Sequence, residues 1–577
     1  MHNLNNVLSR LSFMKGFDVI MKILDGIAGA PGVVFGKVLY FDKKAGNSKE
    51  ISLDEAVGKC LEKVRRMYDK ALSDLGEDKA KIFSAYEMLL EDTMFTGPIK
   101  ELIESGRAPE DAVTEVSESM SAILLKKESE YLRQRADDIM NVGNMIKETL
   151  CGADSDFTMP DGNEKYIIAA RELTPVDTML FDHSRLLGFV TKEGGATSHT
   201  VILAKSIGIP AVVGVSELTE DVCCKEAYLD GYSGKFVVEP NEETKKIYDK
   251  KVSEELEFIK SLDKIKQNDT YTSDGERIKV AVNIGKPSDL KDIDGQQFDG
   301  VGLFRSEFLY SSSKEKPSVN QQYEAYKKVI DLVYPESVTI RTLDVGGDKQ
   351  IQYFNTPKEE NPFLGNRGIR LCLANEDIFL EQLKALLMAG ADRKLKIMLP
   401  MVTRIEEITR TRELVEKAKE ELKNEGVTVS ANLELGILIE TPASAIMSEV
   451  FAKHCDFFSI GTNDLVQYIM SADRGNSAVE ELYNPYNPAV LRMINKVIND
   501  GAKAGIEVSV CGDLAANTDF TEILLGMGLK KFSVPLPMIN RIKKKISDIN
   551  LSSAQKLVES VLSAEDENEI IKIIRKG

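Results

Sequence analysis

Two sets of residues in this chain have the types and spacing to do chemistry. The first is Gly194-Gly195-Ala196-Thr197-Ser198-His199-Thr200, which follows a short apolar strand expected over Leu187–Thr191. It opens a small helix, expected over Val201–Ile207, that stops at Gly208. The glycines let the backbone take φ > 0 or pass close to a ligand. Ser198 is placed to cap the helix, which puts His199 in its first turn. Free amides and the helix dipole make that position electropositive and suited to an anion held on the imidazole. A neutral imidazole is also a competent nucleophile. The chemistry suggested is a histidine that carries a phosphoryl group. Taken alone, the segment more simply describes a glycine turn whose histidine is satisfied by hydrogen bonds.

The second set stands at the C-terminal ends of expected strands. Arg305 lies in GLFRSEF, Arg341 in IRTLDVGGDK with Lys349 eight residues later, and Arg367 in NPFLGNRGIR. Glu440 lies in GILIETP, Asn463 and Asp464 in SIGTNDL, Arg474 in ADRGN and Cys511 in SVCGDLA. Cations in this number can clamp a phosphate and a carboxylate, arginine doing so bidentately. Glu440 and Asp464 could hold Mg²⁺ with positions left open for substrate oxygens. Singly, each has an ordinary reading: a strand-end arginine in a surface ion pair, a carboxylate capping the next helix, a buried structural thiol at Cys511. Their agreement on one set of strand ends favours chemistry, and it lifts His199 with it.

The elements that must position these residues follow from periodicity. Strands are expected at Ile278–Ile284, Gly300–Phe304, Val338–Leu343, Leu395–Leu399, Glu434–Ile439, Asp456–Ile460, Ile506–Val510 and Lys531–Val534. Eight strands with intervening helices predict a (β/α)8 TIM-type barrel, whose reactive residues follow the C-terminal strand ends. Upstream, Gly26–Phe41 and Tyr166–Val238 read as short strands and turns, including Ala211–Val215 and Gly234–Val238. Between them the texture is helical. Ser52 and Glu55 form a capping-box pattern, then Leu53, Val57, Leu61, Val64, Tyr68, Leu72 and Leu75 recur at steps of three or four up to Gly76. Ala80–Leu90, Pro109–Leu125 and Tyr131–Leu150 continue the helical pattern. The simplest account is an α/β domain split by an inserted helical bundle. Asn241–Asp269, highly charged with Ile247, Val252, Leu256, Ile259 and Leu262 at helical spacing, reads as a connecting helix and a candidate hinge. The multidomain α/β chain thus divides into a tail (1–25), the α/β domain (26–51 and 151–240), the helical insertion (52–150), the linker helix (241–270) and the barrel with C-terminal helices (271–577). Met14 and Met21 are alternative starts within the tail.

Composition bounds the function. The 577 residues are 43% hydrophobic and 29% charged, ordinary for a globular protein. A net charge of −18, from 74 basic and 92 acidic side chains, argues against general binding to nucleic acid or anionic membranes. Seven scattered cysteines without a CxxC pair fit a reducing cytoplasm. Cys223-Cys224 reads as part of a buried strand. No run approaches a membrane span, and the N-terminus lacks a continuous apolar signal segment. His183 and His454 read as structural.

Together these segments resemble Enzyme I of the sugar phosphotransferase system, the phosphoenolpyruvate–protein phosphotransferases. The resemblance runs from about Gly26 to the C-terminus and rests on GGATSHTVILAKSIGIPAVVG, GLFRSEFLY, NPFLGNRGIR and DFFSIGTNDLVQYIMSADRGN with LYNP after it. It implies that His199 carries the phosphoryl group on a swivelling domain. It further implies that Glu440 and Asp464 hold Mg²⁺, and that Arg305, Arg341, Lys349, Asn463 and Arg474 bind phosphoenolpyruvate, with Arg367 a further member. Cys511 matches the group that delivers a proton to the enolate of pyruvate, and the helical insertion matches the domain that docks the carrier protein HPr. A homodimer through the barrel is also implied. Departures are few: Ala196 and Lys205 stand where relatives have arginine, Asp513 where they have glutamate and Asn366 where they have an aromatic. Val534-Pro535-Leu536-Pro537 replaces a serine-rich segment. None removes a residue with an implied chemical role.

Three rival readings are weaker. Pyruvate phosphate dikinase and phosphoenolpyruvate synthase need a nucleotide-binding domain, and the chain has neither a GxxxxGK[ST] segment nor spare length for one. A nitrogen-branch Enzyme I would carry an added N-terminal sensory domain, for which the residues before Gly26 are too few. A regulatory binding protein that had lost catalysis would lack a histidine, carboxylate or arginine of the set, and none is missing.

Overall fold

The computed structural model describes residues 21–41, 51–74, 77–125, 130–150, 162–173, 177–178, 181–195, 198–290, 293, 295–311, 316–346, 359–429, 433–474 and 479–576. The chain divides after Phe258 into two compact units.

The first unit is built on an eight-stranded sheet. Its strands are β1 (Lys22–Asp25), β2 (Ile27–Ala30), β3 (Val33–Phe41), β4 (Tyr166–Ala170), β5 (Leu186–Thr191), β6 (Ala211–Val213), β7 (Glu226–Asp230) and β8 (Lys235–Val238), in the order β1-β8-β7-β3-β4-β5-β6-β2. The segment read as a tail therefore supplies an edge strand, β1, paired antiparallel with β8. Central strands β3 to β6 run parallel, and their buried runs, such as Tyr166–Ala170, are apolar throughout because helices or loops cover both faces.

Between the directly paired β3 and β4 the chain makes a long helical excursion: α1 (Leu53–Asp74), α2 (Glu77–Glu91), α3 (Thr93–Glu104), α4 (Pro109–Leu125) and α5 (Glu130–Leu150). The serine half of the capping box expected at Ser52 is present, Ser52 Oγ accepting the Glu55 N–H at 3.2 Å. Ala56, Cys60 and Val64 recur at helical spacing and pack with Tyr86, Phe95, Ile99, Val113 and Ile146 in one core. Helix α3 has no counterpart in the expected elements because Gly97-Pro98 interrupts the pattern. Asp92 caps it through the Met94 N–H, and Phe95 and Ile99 bury it.

Two further expectations are corrected. Cys223 and Cys224 are exposed in a turn before β7, not buried in a strand. The linker helix exists as α7 (Glu242–Ile265), after α6 (His199–Ile207), but Ile247, Leu256 and Ile259 of its apolar pattern are exposed. Its buried residues are Tyr248 and Glu255. The helix docks through Tyr248 and Val252, which pack against Val33, Tyr228 and Val237, and through polar groups: Tyr228 Oη donates to Asp249 at 2.5 Å, Lys251 to Asp230 at 2.7 Å and Tyr232 Oη to Glu255 at 3.1 Å.

In the second unit eight parallel strands close into a barrel: β9 (Lys279–Ile284), β10 (Val301–Arg305), β11 (Val338–Arg341), β12 (Leu395–Leu399), β13 (Glu434–Ile439), β14 (Phe457–Ile460), β15 (Glu507–Val510) and β16 (Lys531–Pro535), with β16 pairing back to β9. All eight expected strands are present, with ends within a few residues. Alternate residues of a strand share a face, and that rule sorts the interior into layers. Lys279, Lys396, Glu507 and Lys531 begin the inward rows at the N-terminal end, where all three lysines reach Glu507. Leu303, Met398 and Leu438 cluster with Cys511 above them, joined by Phe457, the register partner of Glu507. The same rows end in Asn283, Arg305, Arg341, Glu440 and Cys511, which delivers four of the expected reactive residues to one mouth. No helix among the described residues is long and apolar enough to cross a membrane.

Candidate active site at the barrel mouth

Arg305 and Arg341 are register partners at the ends of adjacent strands β10 and β11. Arg341 is buried. It donates from Nη2 to Glu307 at 3.0 Å and pairs from Nη1 with Asp344 Oδ2 at 2.8 Å. Its Nε is buried without a hydrogen-bond partner, an unsatisfied donor in a site otherwise rich in acceptors. Burial alone would lower this arginine, but the charges of Glu307, Asp344 and Glu440 outweigh it and hold the proton more firmly than usual. Arg305 is exposed at the rim.

Arg367 reaches in from the loop after β11. Its Nε and Nη2 donate to the two oxygens of Asp344 at 3.2 and 3.0 Å, and its fork also faces Asp464. Gly346 makes that approach feasible: at φ 109° it lies so near the Arg367 loop that a Cβ would sit 2.6 Å from the Asn366 carbonyl. Asp464 and Asn463 lie in the first turn of α9 (Thr462–Met470), later in the chain than α8 (Glu376–Ala389). Asn463 Oδ1 accepts the Asp513 N–H at 2.8 Å, tying the ends of β14 and β15 together.

Glu440, directly after β13, is buried, and its Oε1 accepts the Met401 N–H at 2.6 Å. Met401 adopts φ 59°, a costly conformation for a non-glycine residue, and the turn aims that amide at the carboxylate. Burial first, then the charges of Asp464 and Asp344, push the Glu440 carboxyl well above the ordinary range despite Arg367 and Arg341. The pocket around this pair is therefore short of positive charge. A hard divalent cation would supply that, and two oxygen donors would suffice for an ion that keeps its remaining positions for water and substrate. No group of three or more metal-ligating side chains occurs among the described residues.

Cys511, the residue after β15, is buried, its Sγ 3.7 Å from the Ile460 carbonyl and its own carbonyl held by Asn283 Nδ2 at 3.0 Å. Burial pushes the thiol up to about 11. Arg474 is exposed just beyond α9, its N–H donating to Gln467 at 3.3 Å. Lys349 lies outside the described residues.

Several participants have no role in the sequence reading. Glu307 and Asp344 receive the arginines, and Tyr468 Oη lies 3.4 Å from Arg367. Gln382, buried on α8, accepts the Leu343 N–H at 3.1 Å and donates to Ser306 Oγ at 3.1 Å, so it joins the loops that carry both strand-end arginines. Glu307 stands two residues after Arg305 and Asp344 three after Arg341. Proximity to a strand-end arginine was the available signal for both.

In the first unit the histidine loop leaves β5 and enters α6 (His199–Ile207), two residues earlier than expected, with Gly208 at φ 74° ending it. Gly194 takes φ 106°. Ser198 occupies the cap position with extended backbone but makes no side-chain cap, and its Oγ is buried without a partner. The expected serine cap is thus absent. Ala196 and Thr197 lie outside the described residues.

Three family models match in succession: the N-terminal domain of phosphoenolpyruvate-utilising enzymes over 25–135, their mobile domain over 162–234 and their phosphoenolpyruvate-binding domain over 260–551. The chain is 38% identical over 570 residues to the phosphoenolpyruvate-protein phosphotransferase of Listeria monocytogenes, covering 96% of this chain and 99% of that one. The chain belongs to the phosphoenolpyruvate-protein phosphotransferase family. The Bacillus subtilis family member is also 38% identical, over 571 residues, 96% of this chain and 100% of its own. An NMR structure of an Enzyme I protein aligns with 40% of this chain and 98% of its own at 32% identity and a TM-score of 0.35. The family's mobile-domain match brackets His199, and its phosphoenolpyruvate-binding match brackets every barrel-mouth residue described above.

Proposed function

We propose that the chain takes the phosphoryl group of phosphoenolpyruvate onto His199, releases pyruvate, and passes the group to the histidine of the carrier protein HPr docked on helices α1 to α5. The observation that carries this reading is the convergence of Arg341, Arg367, Glu440, Asp464 and Cys511 at one end of the barrel, in a chain that also presents a histidine at an uncapped helix start.

Arg305, Arg341 and Arg474, with Lys349 and Arg367, bind the phosphate and carboxylate of the substrate, and Asn463 lines the same site. The unpartnered Nε of Arg341 supports its part in this. Glu440 and Asp464 would hold Mg²⁺, which supplies positive charge to the substrate's phosphate and carboxylate oxygens. The raised Glu440 carboxyl supports that assignment, since a bound cation offsets the crowding of negative charge. His199 attacks phosphorus in line through a loose transition state, so positioning and electrostatics supply most of the rate. The leaving enolate takes a proton at C3 from Cys511, whose thiol is protonated at neutral pH. The free amides at the start of α6 suit the phosphoryl oxygens on His199.

Loading and unloading require His199 to visit two partners in turn. The division of the chain into two units, with α7 continuous across it, supports a swing of the histidine-bearing unit about residues near the end of that helix. The barrel is the dimerisation element, and the chain acts in the cytoplasm. Incubation with phosphoenolpyruvate and Mg²⁺ tests the central claim. Acid-labile phosphate should form on the wild type and be absent from His199→Ala, with pyruvate released in equal amount; labelling of His199→Ala to the wild-type level would overturn it.

A further inference from the structure

We propose that Cys223 and Cys224 form a reversible redox site, a vicinal dithiol that closes to a disulfide between neighbouring residues. The two thiols are exposed, and their sulfurs lie 3.5 Å apart. Backbone hydrogen bonds hold the turn that presents them. Cys223 N–H donates to the Glu220 carbonyl at 3.0 Å and Cys224 N–H to the Val38 carbonyl on β3 at 2.8 Å. Lys225, the next residue, pairs with Glu239 at 2.9 Å and with Asp221 at 3.6 Å. Cys224 itself adopts φ 65°, so its backbone already occupies the left-handed region. Bond formation needs the sulfurs to approach by a further ~1.5 Å, through side-chain rotation together with adjustment of the peptide between the two residues. The remaining described cysteines, Cys60, Cys372, Cys455 and Cys511, are buried.

The step balances with a low-molecular-weight disulfide as oxidant. The thiolate of one cysteine attacks a sulfur of the oxidant, forming a mixed disulfide and expelling one thiolate. The neighbouring cysteine, as thiolate, then attacks the protein-side sulfur, forming the Cys223–Cys224 bond and expelling the second. The pair loses two electrons and two protons; the oxidant gains both as two thiols. Adjacent Cα atoms are ~3.8 Å apart, below the span of roughly 4.4–6.8 Å usual for a disulfide. Such a bond is strained and exposed, and therefore readily reduced again.

Trypsin releases Ser206–Lys225, whose only cysteines are this pair, so the state of the site reads out in one peptide. Full-length protein is treated with glutathione disulfide, alkylated and digested. The expected peptide from the wild type has lost two hydrogens, carries neither glutathione nor alkyl groups, and becomes doubly alkylatable after dithiothreitol. Cys223→Ser and Cys224→Ser should each carry a single glutathione instead. A wild-type peptide that stays doubly alkylated, or that accumulates as the glutathione adduct, overturns the proposal. Matching circular dichroism spectra and melting of the wild type and both variants show that the comparison is between folded proteins.

Discussion

The guanidinium of Arg367 lies across the carboxylate of Asp464, Nη1 to one oxygen at 3.5 Å and Nη2 to the other at 3.4 Å. These are long contacts, whereas the same guanidinium holds Asp344 at 3.0 and 3.2 Å. Asp344 is therefore the anchor and Asp464 the looser partner, free to exchange an arginine for another positive charge.

Asp344 should accordingly matter more than its lack of direct chemistry suggests. Asp344→Asn removes the carboxylate that orients both Arg341 and Arg367. We expect KM for phosphoenolpyruvate to rise about 10-fold or more, because hydrogen bonds to charged groups are worth ~1.5–3 kcal/mol each. Leaving two buried arginines short of a counter-charge should also destabilise the barrel by about 3–5 kcal/mol. Steady-state kinetics and urea unfolding of the barrel signal measure the two effects.

Mg²⁺ removal is expected to abolish phosphorylation of His199, with recovery on adding the ion back. Glu440→Gln and Asp464→Asn should each weaken Mg²⁺ binding by about 10-fold or more, in line with losing one of two charged ligands. Calorimetric titration with Mg²⁺ in the presence of phosphoenolpyruvate checks this; unchanged affinity in both variants would remove the pair from the metal site.

Cys511→Ser is expected to slow pyruvate formation by about 10²-fold or more, as for loss of a general acid, while changing substrate binding little. The pH dependence has a definite sign. A donor acts in its protonated form, and the raised thiol keeps that form up to about 11. Turnover in the wild type should thus show no loss assignable to this group near pH ~8.5, where an ordinary thiol titrates. Stopped-flow measurement of pyruvate release across that range decides it.

At the other end of the barrel, Glu507 should set the acid limit of stability. Burial alone would raise this carboxyl, but Lys531 and Lys396, with a hydrogen bond from Lys279, draw it far below its ordinary 4.5. A carboxylate lowered in the folded state stabilises above the unfolded value and loses that contribution as pH falls below about 4.5. Denaturant unfolding of the barrel should therefore weaken through that range in the wild type. Glu507→Gln should be destabilised by about 3–5 kcal/mol at neutral pH and show a flatter acid limb.

Much of this molecule is legible in the chain. Strands such as Leu395–Leu399 and Glu434–Ile439 are mostly apolar runs of strand length, and their expected ends agree with the structure. The candidate residues at the strand ends are legible because the barrel's geometry ties position along a strand to position in space. Helix α3 was hidden by Gly97-Pro98, and α7 misled because its docking face mixes Tyr248 and Val252 with polar groups: Asp249, Lys251 and Glu255 reach partners whose positions depend on how β7 and the turn after it fold. Glu307, Asp344 and Gln382 were passed over for a related reason. A buried carboxylate or amide is recognisable only by the groups it meets, and those come from elsewhere in the chain.

The sequence alone determined the division into a split α/β domain, a helical insertion and a barrel, the identity of His199 as the distinctive histidine, and the strand-end set of Arg305, Arg341, Glu440, Asp464 and Cys511. These follow from local rules: periodicity, glycine turns and the alternation of side chains along a strand. The tertiary structure decided how that set is held. Closure of the barrel sets Arg341 beside Glu307 and Asp344, brings Arg367 over from a loop, and crowds Glu440 with like charge. Charge interactions of this kind depend on distance and burial, and both are properties of the closed barrel rather than of any segment within it.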